Sequence, residues 1–116
     1  VALSLFCDDC YMTDLPKNDS LTELQKYVWQ MNIERGFNTE DASKKLVMLM
    51  EESGELAKAV RKHVGMKFSD TTKQQELREE LADVQIVLLG LASTLDEDMF
   101  SAVIDKEKKN RTRKWK

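Results

Sequence analysis

Two stretches of the sequence decide the fold: LMEESGELAKAVRKHVG at residues 49–65 and EELADVQIVLLGLA at residues 79–92. In both, apolar residues recur every three or four positions, the spacing of one face of an α-helix. The first stretch ends at Gly65, where a left-handed residue is commonly found after a helix. The second is apolar around much of its circumference, which predicts a central, largely buried helix.

Two further helices are predicted on either side of these stretches. Ser20 and Glu23 have the spacing of a capping box, and apolar residues follow at helical intervals as far as Gly36. Polar capping residues also precede the other three helices: Asn38 to Asp41, Ser69 or Asp70, and Asp96 to Asp98. Four amphipathic helices with short connections, and no competing strand pattern, predict an all-α four-helix bundle.

Length and composition fit one compact helical domain. The chain has 116 residues, of which 41% are hydrophobic and 34% are charged. Residues 1–18 show no periodic pattern, so we expect an irregular N-terminal arm before a helical domain at residues 19–116. Cys7 and Cys10 lie in this arm. A zinc or redox role would need further ligands or a partner pair, and idle reduced thiols are the simpler interpretation.

Charge and hydropathy argue against nucleic-acid and membrane partners. The net charge is −3, no apolar stretch approaches the length of a membrane span, and the N-terminus lacks the basic start of a signal peptide. We therefore expect a cytoplasmic protein. The charges are nevertheless separated along the chain, with acids near residues 51–55 and 76–83 and bases at residues 106–116. Such a separation suits a site with a metal at one end and phosphates at the other.

Four acids are placed to share one site. Glu52 and Glu55 are three residues apart, as are Glu80 and Asp83, so each pair projects from one face of its helix. If the apolar faces of the two helices meet, the acids face each other and repel unless they are protonated, paired or bound to a cation. Oxygen ligands alone favour Mg²⁺ or Mn²⁺ over zinc. A di-iron bundle would need two histidine motifs, and the chain has one histidine.

The same acids have a simpler interpretation as solvated helix faces. In that case they pair with nearby bases, for which the candidates are Lys58, Arg61 and Arg78. Gly54 and Gly90 lie inside predicted helices, where each glycine costs about 1 kcal/mol relative to alanine, and Gly54 beside the first acidic pair favours a functional site. We expect close approach of a neighbouring backbone or a ligand to compensate for that cost.

The combined pattern resembles a known family. EExxE at residues 51–55, followed after 24 residues by ExxD at residues 80–83, is similar to the signature of MazG-like all-α nucleoside triphosphate pyrophosphohydrolases, which are related to small dCTP pyrophosphatases. The resemblance covers about residues 21–115, including KEKKNRTRKW at residues 106–115. It implies Mg²⁺-dependent hydrolysis of a nucleoside or deoxynucleoside triphosphate to the monophosphate and pyrophosphate, in nucleotide-pool cleaning, by a homodimer or tetramer. The alternative is a non-catalytic helical bundle that binds nucleotides or regulates a partner.

The resemblance also assigns roles to the acids. Glu52, Glu55, Glu80 and Asp83 fall on the positions that hold Mg²⁺ in the family. Glu51 and Glu52 are then the catalytic candidates, with Glu51 positioning or deprotonating the attacking water. A Glu51 that only supports the site or faces solvent is the alternative.

The basic end of the chain matches a family segment near the phosphates. The implied phosphate-binding residues are Lys106, Asn110, Arg111 and Arg113. Their donors would neutralise charge on the leaving pyrophosphate. The alternative is a solvated basic tail.

Recognition of the base is less specified. Phe37 corresponds to an aromatic residue that packs near the base in the dCTP-hydrolysing relatives, and Trp29 is a second candidate. Either aromatic could instead serve in packing or in dimer contacts. Other base-pocket positions of those relatives are occupied here by Val28, Lys62 and Val87, so the resemblance does not imply a preference for dCTP.

Overall fold

The chain is all-helical wherever its structure is described. The computed structural model describes residues 13–65 and 71–114, with the backbone alone at residues 71–75. These ranges contain four helices and no strand: α1 (Leu21–Arg35), α2 (Ala42–Val64), α3 (Thr71–Thr94) and α4 (Met99–Arg111). The predicted all-α class is therefore confirmed, whereas the closed bundle and its oligomeric state stay predictions. The interpretation of Cys7 and Cys10 and the capping of α3 by Ser69 or Asp70 lie outside the described residues.

Three helix starts lie where the capping residues predict them. The side chains of Ser20, Asp41 and Asp98 each accept a hydrogen bond from the backbone N–H three residues later, at 3.2, 2.8 and 2.9 Å. Each of these residues has extended backbone angles and stands immediately before its helix. The caps satisfy backbone donors that the first turn of a helix leaves free.

The helix ends divide into two kinds. Gly36 after α1 has φ = 80°, and Asp96 after α3 has φ = 57°. At both, backbone N–H groups return to carbonyls of the last turn, as in a Schellman motif. Gly65 ends α2 as predicted, but its φ is −84°, so the expected left-handed conformation is wrong there. The backbone N–H of Gly65 instead donates a hydrogen bond to the Arg61 carbonyl at 3.1 Å, which continues the right-handed turn.

The chain divides into two compact units, and the first contains the described residues up to Thr39 and from Ala92 onward. In this unit α1 packs against α4. Buried Gln25 donates hydrogen bonds to the Ser93 hydroxyl (3.0 Å) and the Glu97 carbonyl (2.8 Å), and accepts one from the Met99 amide (2.9 Å). A single satisfied side chain thus joins α1 to the last turn of α3, to the α3–α4 connection and to the start of α4.

The second unit, Glu40–Leu91, contains α2 and most of α3. Its buried side chains include Lys45, Ala59 and Leu89, but many apolar side chains of the two helices are exposed. Leu81 is 53% exposed and Ile86 45%, so the prediction of a largely buried third helix is wrong for the single chain. The physical reason is that these helices are apolar over a wider arc than one neighbouring helix can cover. No helix in the described ranges is long and apolar enough to cross a membrane.

Candidate metal centre

The middle of α2 carries three of the predicted acids. Glu52 and Glu55 lie three residues apart and therefore project from the same side of the helix. Glu52 is half-buried, whereas Glu51 and Glu55 are exposed. The helix thus directs one carboxylate inward and keeps the two others accessible.

The other two acids lie on α3 and meet Glu52. One carboxylate oxygen from each of Glu52, Glu80 and Asp83 lies within 4.8 Å of the others. Glu80 is half-buried and Asp83 is exposed. Three of the four predicted ligands thus come together from two helices, and the fourth, Glu55, is not part of this close group. We call Glu52, Glu80 and Asp83 the carboxylate cluster.

Electrostatics in the carboxylate cluster are unfavourable without a cation. The Oε2 atom of Glu80 is buried and has no hydrogen-bond partner among the described residues. Burial raises the pKa of the Glu80 carboxyl, and the charges of Glu55, Asp83 and Glu52 raise it further. The pKa of Glu52 is raised by burial and by the neighbouring carboxylates in the same way. Both shifts show that the site disfavours the negative charges it holds.

No protein cation offsets these charges in the part of the chain that the structure describes. The ion pairs found there include those of Lys26 with Glu23, Lys44 with Glu40 and Lys62 with Glu76. None of them includes a predicted metal ligand or Glu51, and the proposed pairs with Lys58, Arg61 and Arg78 do not form. An all-oxygen set of three carboxylates, one with a buried unpartnered oxygen, fits a hard divalent cation such as Mg²⁺ or Mn²⁺.

An open pocket of about 480 Å³ adjoins the cluster. It is lined by Glu51, Gly54, Glu55, Lys58, Glu76 and Glu80. The pocket includes the two predicted acids of α2 that are absent from the carboxylate cluster. It therefore offers space beside Glu80 for a ligand larger than an ion.

A comparison with protein families agrees with this chemistry. Residues 40–114 match the model of the MazG nucleotide pyrophosphohydrolase domain. The chain belongs to this family. The match covers α2, α3 and α4, with Glu51, Glu55 and the carboxylate cluster, and it confirms the resemblance inferred from the sequence. A search of the curated proteins finds no match.

Membership of the MazG family has direct consequences. The family consists of nucleotide pyrophosphohydrolases, so this domain is a hydrolase with a nucleotide substrate. Divalent-metal dependence is general in the family, and the carboxylate cluster is compatible with it. The matched region begins after α1, so Trp29 and Phe37 lie outside it.

Gly54 lies in the pocket wall with open space beside it. A Cβ atom built at this position would meet no other atom within 4 Å. The expected close approach of a neighbouring backbone is therefore absent among the described residues. The open space leaves room for a ligand beside α2 at this position.

The predicted phosphate-binding residues lie on and after α4, in the first unit. Lys106, Arg111 and Arg113 are exposed. Asn110 donates a hydrogen bond to the Glu107 carboxylate at 3.3 Å, while its own Oδ1 atom is buried without a described partner. The structure thus collects these residues at one helix end, and their phosphate contacts stay a prediction.

The two base-binding candidates have different surroundings. Half-buried Trp29 lines an open pocket of about 350 Å³ in the first unit, together with Lys26 and the acidic residues that follow α3. Phe37 is 45% exposed, directly after α1. Neither position identifies a base.

Lys58 and Glu76 line this pocket but are not among the residues that the sequence predicted for the site. Lys58 follows Glu55 by three residues and Gly54 by four, which places it on the same side of α2. That spacing was the signal for its place in the pocket wall. Glu76 precedes Glu80 by four residues on α3 and follows the same rule.

Proposed function

We propose that this MazG domain is a Mg²⁺-dependent nucleoside triphosphate pyrophosphohydrolase. It would hydrolyse the bond between the α- and β-phosphates and release a monophosphate and pyrophosphate. The observation that carries the proposal is the carboxylate cluster, which brings Glu52, Glu80 and Asp83 within 4.8 Å of one another in a nucleotide pyrophosphohydrolase domain. The unpartnered Oε2 of Glu80 supports it, because a divalent cation satisfies such an atom.

The carboxylate cluster would hold the metal, and Glu55 on the same side of α2 completes the predicted ligand set. When bound, Mg²⁺ supplies charge neutralisation at the phosphoryl oxygens and lowers the pKa of a bound water. Glu51, exposed at the pocket wall, is the candidate for orienting that water or accepting its proton. Glu52 is the second residue to which we assign a catalytic role, because it is adjacent to Glu51 and belongs to the carboxylate cluster.

The basic residues at the end of α4 would bind the phosphates of the leaving group. Lys106 and Arg111 are exposed and would contact an anionic ligand with charge-assisted hydrogen bonds. Arg113 is exposed as well and would exchange its present intramolecular interaction for a phosphate oxygen. Asn110 lies between them with its Oδ1 atom unpartnered among the described residues. Trp29 and Phe37 remain our candidates for contact with the base.

The exposed apolar side chains of the second unit support a homodimer or tetramer. On α2, Leu46 is 50% exposed, Met50 65% and Val64 74%. Apolar surface of this kind is usually covered by a partner in stable proteins. We place the activity in nucleotide-pool cleaning in the cytoplasm, with no nucleic-acid or membrane partner.

A panel of triphosphates tests the reaction. Canonical, deoxy and damaged nucleoside triphosphates are incubated with the full chain and Mg²⁺ or Mn²⁺, and the products are separated by ion-exchange chromatography. We expect monophosphate and pyrophosphate in equal amounts, with no release of inorganic phosphate. Chelation of the metal should stop the reaction.

Two results would contradict the proposal. Release of inorganic phosphate and a diphosphate would show ordinary phosphatase chemistry. No turnover of any triphosphate, together with a melting temperature raised by Mg²⁺ and nucleotide, would favour the non-catalytic nucleotide-binding alternative.

A further inference from the structure

The pocket beside the carboxylate cluster has an unusual charge balance. Four of the six described residues that line it are glutamates, and Lys58 is the one basic residue among them. Glu76 is paired with Lys62, whose Nζ atom lies 3.4 Å from the carboxylate. Glu51, Glu55 and Glu80 have no such partner in the described ranges. Among the described residues, Lys58 is thus the only cation that lines the pocket, beside three carboxylates without an ion pair.

The side chain of Lys58 is exposed and has no hydrogen-bond or ion-pair partner among the described residues. Within the described part of the chain it forms no ion pair, although Glu55 stands one helical turn before it. Glutamate followed by lysine at a spacing of three is a favourable arrangement on a helix. That no pair forms leaves the ammonium group available to a ligand in the pocket.

Substrate chemistry calls for a cation at this place. A nucleoside triphosphate carries several negative charges, and the acids of the pocket repel it even when a divalent ion neutralises part of the carboxylate cluster. A lysine ammonium binds phosphate oxygens by charge-assisted hydrogen bonds. Gly54, which stands between Glu51 and Lys58 on the pocket wall, leaves space for the phosphate chain beside α2.

We propose that Lys58 binds a phosphate oxygen of the substrate in the pocket beside Glu55 and Glu80. This inference rests on the proposed function, since it assumes that the polyphosphate lies at the carboxylate cluster. Lys58 is then a substrate-binding residue on the metal-binding helix. It supplies positive charge from α2 itself, whereas the predicted phosphate-binding residues lie at the end of α4.

Inorganic tripolyphosphate with Mg²⁺ is the probe, because it contains the phosphate chain without a base and does not depend on turnover. Binding is measured by calorimetry and by thermal shift on the full chain. Lys58→Met removes the charge and keeps the length, and Lys58→Arg restores a cation. Lys44→Met is the matched control, because Lys44 is an exposed lysine of α2 whose partner is Glu40.

We expect Lys58→Met to weaken tripolyphosphate binding about tenfold or more, with Lys58→Arg retaining most of it and Lys44→Met all of it. In the triphosphate panel, Lys58→Met should have a higher KM than the wild type and nearly the same kcat. Mg²⁺ binding without phosphate should stay equal or become tighter, because a nearby positive charge has been removed.

Three outcomes would overturn the inference. The first is equal binding of tripolyphosphate by Lys58→Met and Lys44→Met, and the second is failure of Lys58→Arg to restore binding. A matching loss of Mg²⁺ binding without phosphate would show that Lys58 only supports the acids. Failure of the proposed function gives a different result. In that case the wild-type chain releases no pyrophosphate from any triphosphate, independently of how the variants bind tripolyphosphate.

Discussion

Two groups of carboxylates in this molecule have opposite surroundings. At the start of α4, the Asp98 side chain accepts a hydrogen bond from the backbone N–H of Ser101 at 2.9 Å. This bond and one from the Ser101 side chain hold the pKa of Asp98 below its ordinary value. In the carboxylate cluster, burial and neighbouring acids raise the pKa of Glu52 and of Glu80. The same functional group is stabilised as an anion in one place and disfavoured in the other.

This difference distinguishes an acid that caps a helix from the acids that we propose to bind the metal. The charge of Asp98 is satisfied by the chain itself, so its contribution is to helix stability. The charges of the carboxylate cluster have no neutralising partner in the described residues, and their mutual repulsion reduces stability in the absence of a cation. Stability lost at a site and recovered on binding is typical of functional positions.

The largest expected effect is on activity. Glu80→Gln removes one negative oxygen from the carboxylate cluster, and we expect pyrophosphate release to fall about a hundredfold or more, because metal stabilisation of the transition state is worth several kcal/mol. Turnover is measured with the best triphosphate of the panel at saturating Mg²⁺. Asp105→Asn, an exposed acid of α4, is the control. Wild-type turnover in Glu80→Gln would remove Glu80 from the metal site.

A second variant tests the structural side of the comparison. Asp98→Ala removes the cap of α4, and the melting temperature should fall by roughly 4–8 °C, because caps of this kind contribute measurably to domain stability. Pyrophosphate release per folded molecule should change little. A strong loss of activity with an unchanged melting temperature would show that Asp98 serves the site instead.

Acid should affect the two groups in opposite directions. A carboxyl whose folded pKa is lowered stabilises the fold above its unfolded pKa, and this contribution disappears as pH falls through the folded pKa. A carboxyl whose folded pKa is raised destabilises the fold when ionised, and protonation relieves that cost as pH falls through the raised pKa.

Urea unfolding of the metal-free chain at a series of pH values measures this contrast. At neutral pH, Glu80→Gln should be more stable than the wild type, and its advantage should shrink as acid protonates the wild-type carboxyl. The deficit of Asp98→Ala should persist to lower pH and vanish only below the ordinary range of aspartate. Parallel pH profiles for the two variants would show that the carboxylates do not differ as described.

The smallest expected effect concerns the pocket wall. Gly54→Ala should stabilise the chain by about 0.5–1 kcal/mol, because alanine favours the helix and its Cβ meets nothing within 4 Å. If the open space receives the substrate, KM should rise in the same variant. Greater stability with unchanged kinetics would show that the phosphate chain does not approach Gly54.

Much of this molecule follows from local sequence. The capping residues Ser20, Asp41 and Asp98 predicted three helix starts because a short polar side chain can reach the N–H groups of the next turn without help from distant residues. The spacing of Glu52 and Glu55 placed both on one side of α2 for the same reason. The family could also be recognised, since its signature consists of short spacings within helices.

Only the tertiary structure decided which acids converge. Glu52 meets Glu80 and Asp83 while Glu55 faces the adjoining pocket, because the rotation of α2 relative to α3 selects among residues that share a face. The exposure of Leu81, expected to be buried, depends likewise on which surfaces a neighbour covers. Spacing along one helix defines a direction, but a contact needs the position of a second helix, which is set by side-chain packing across the whole unit.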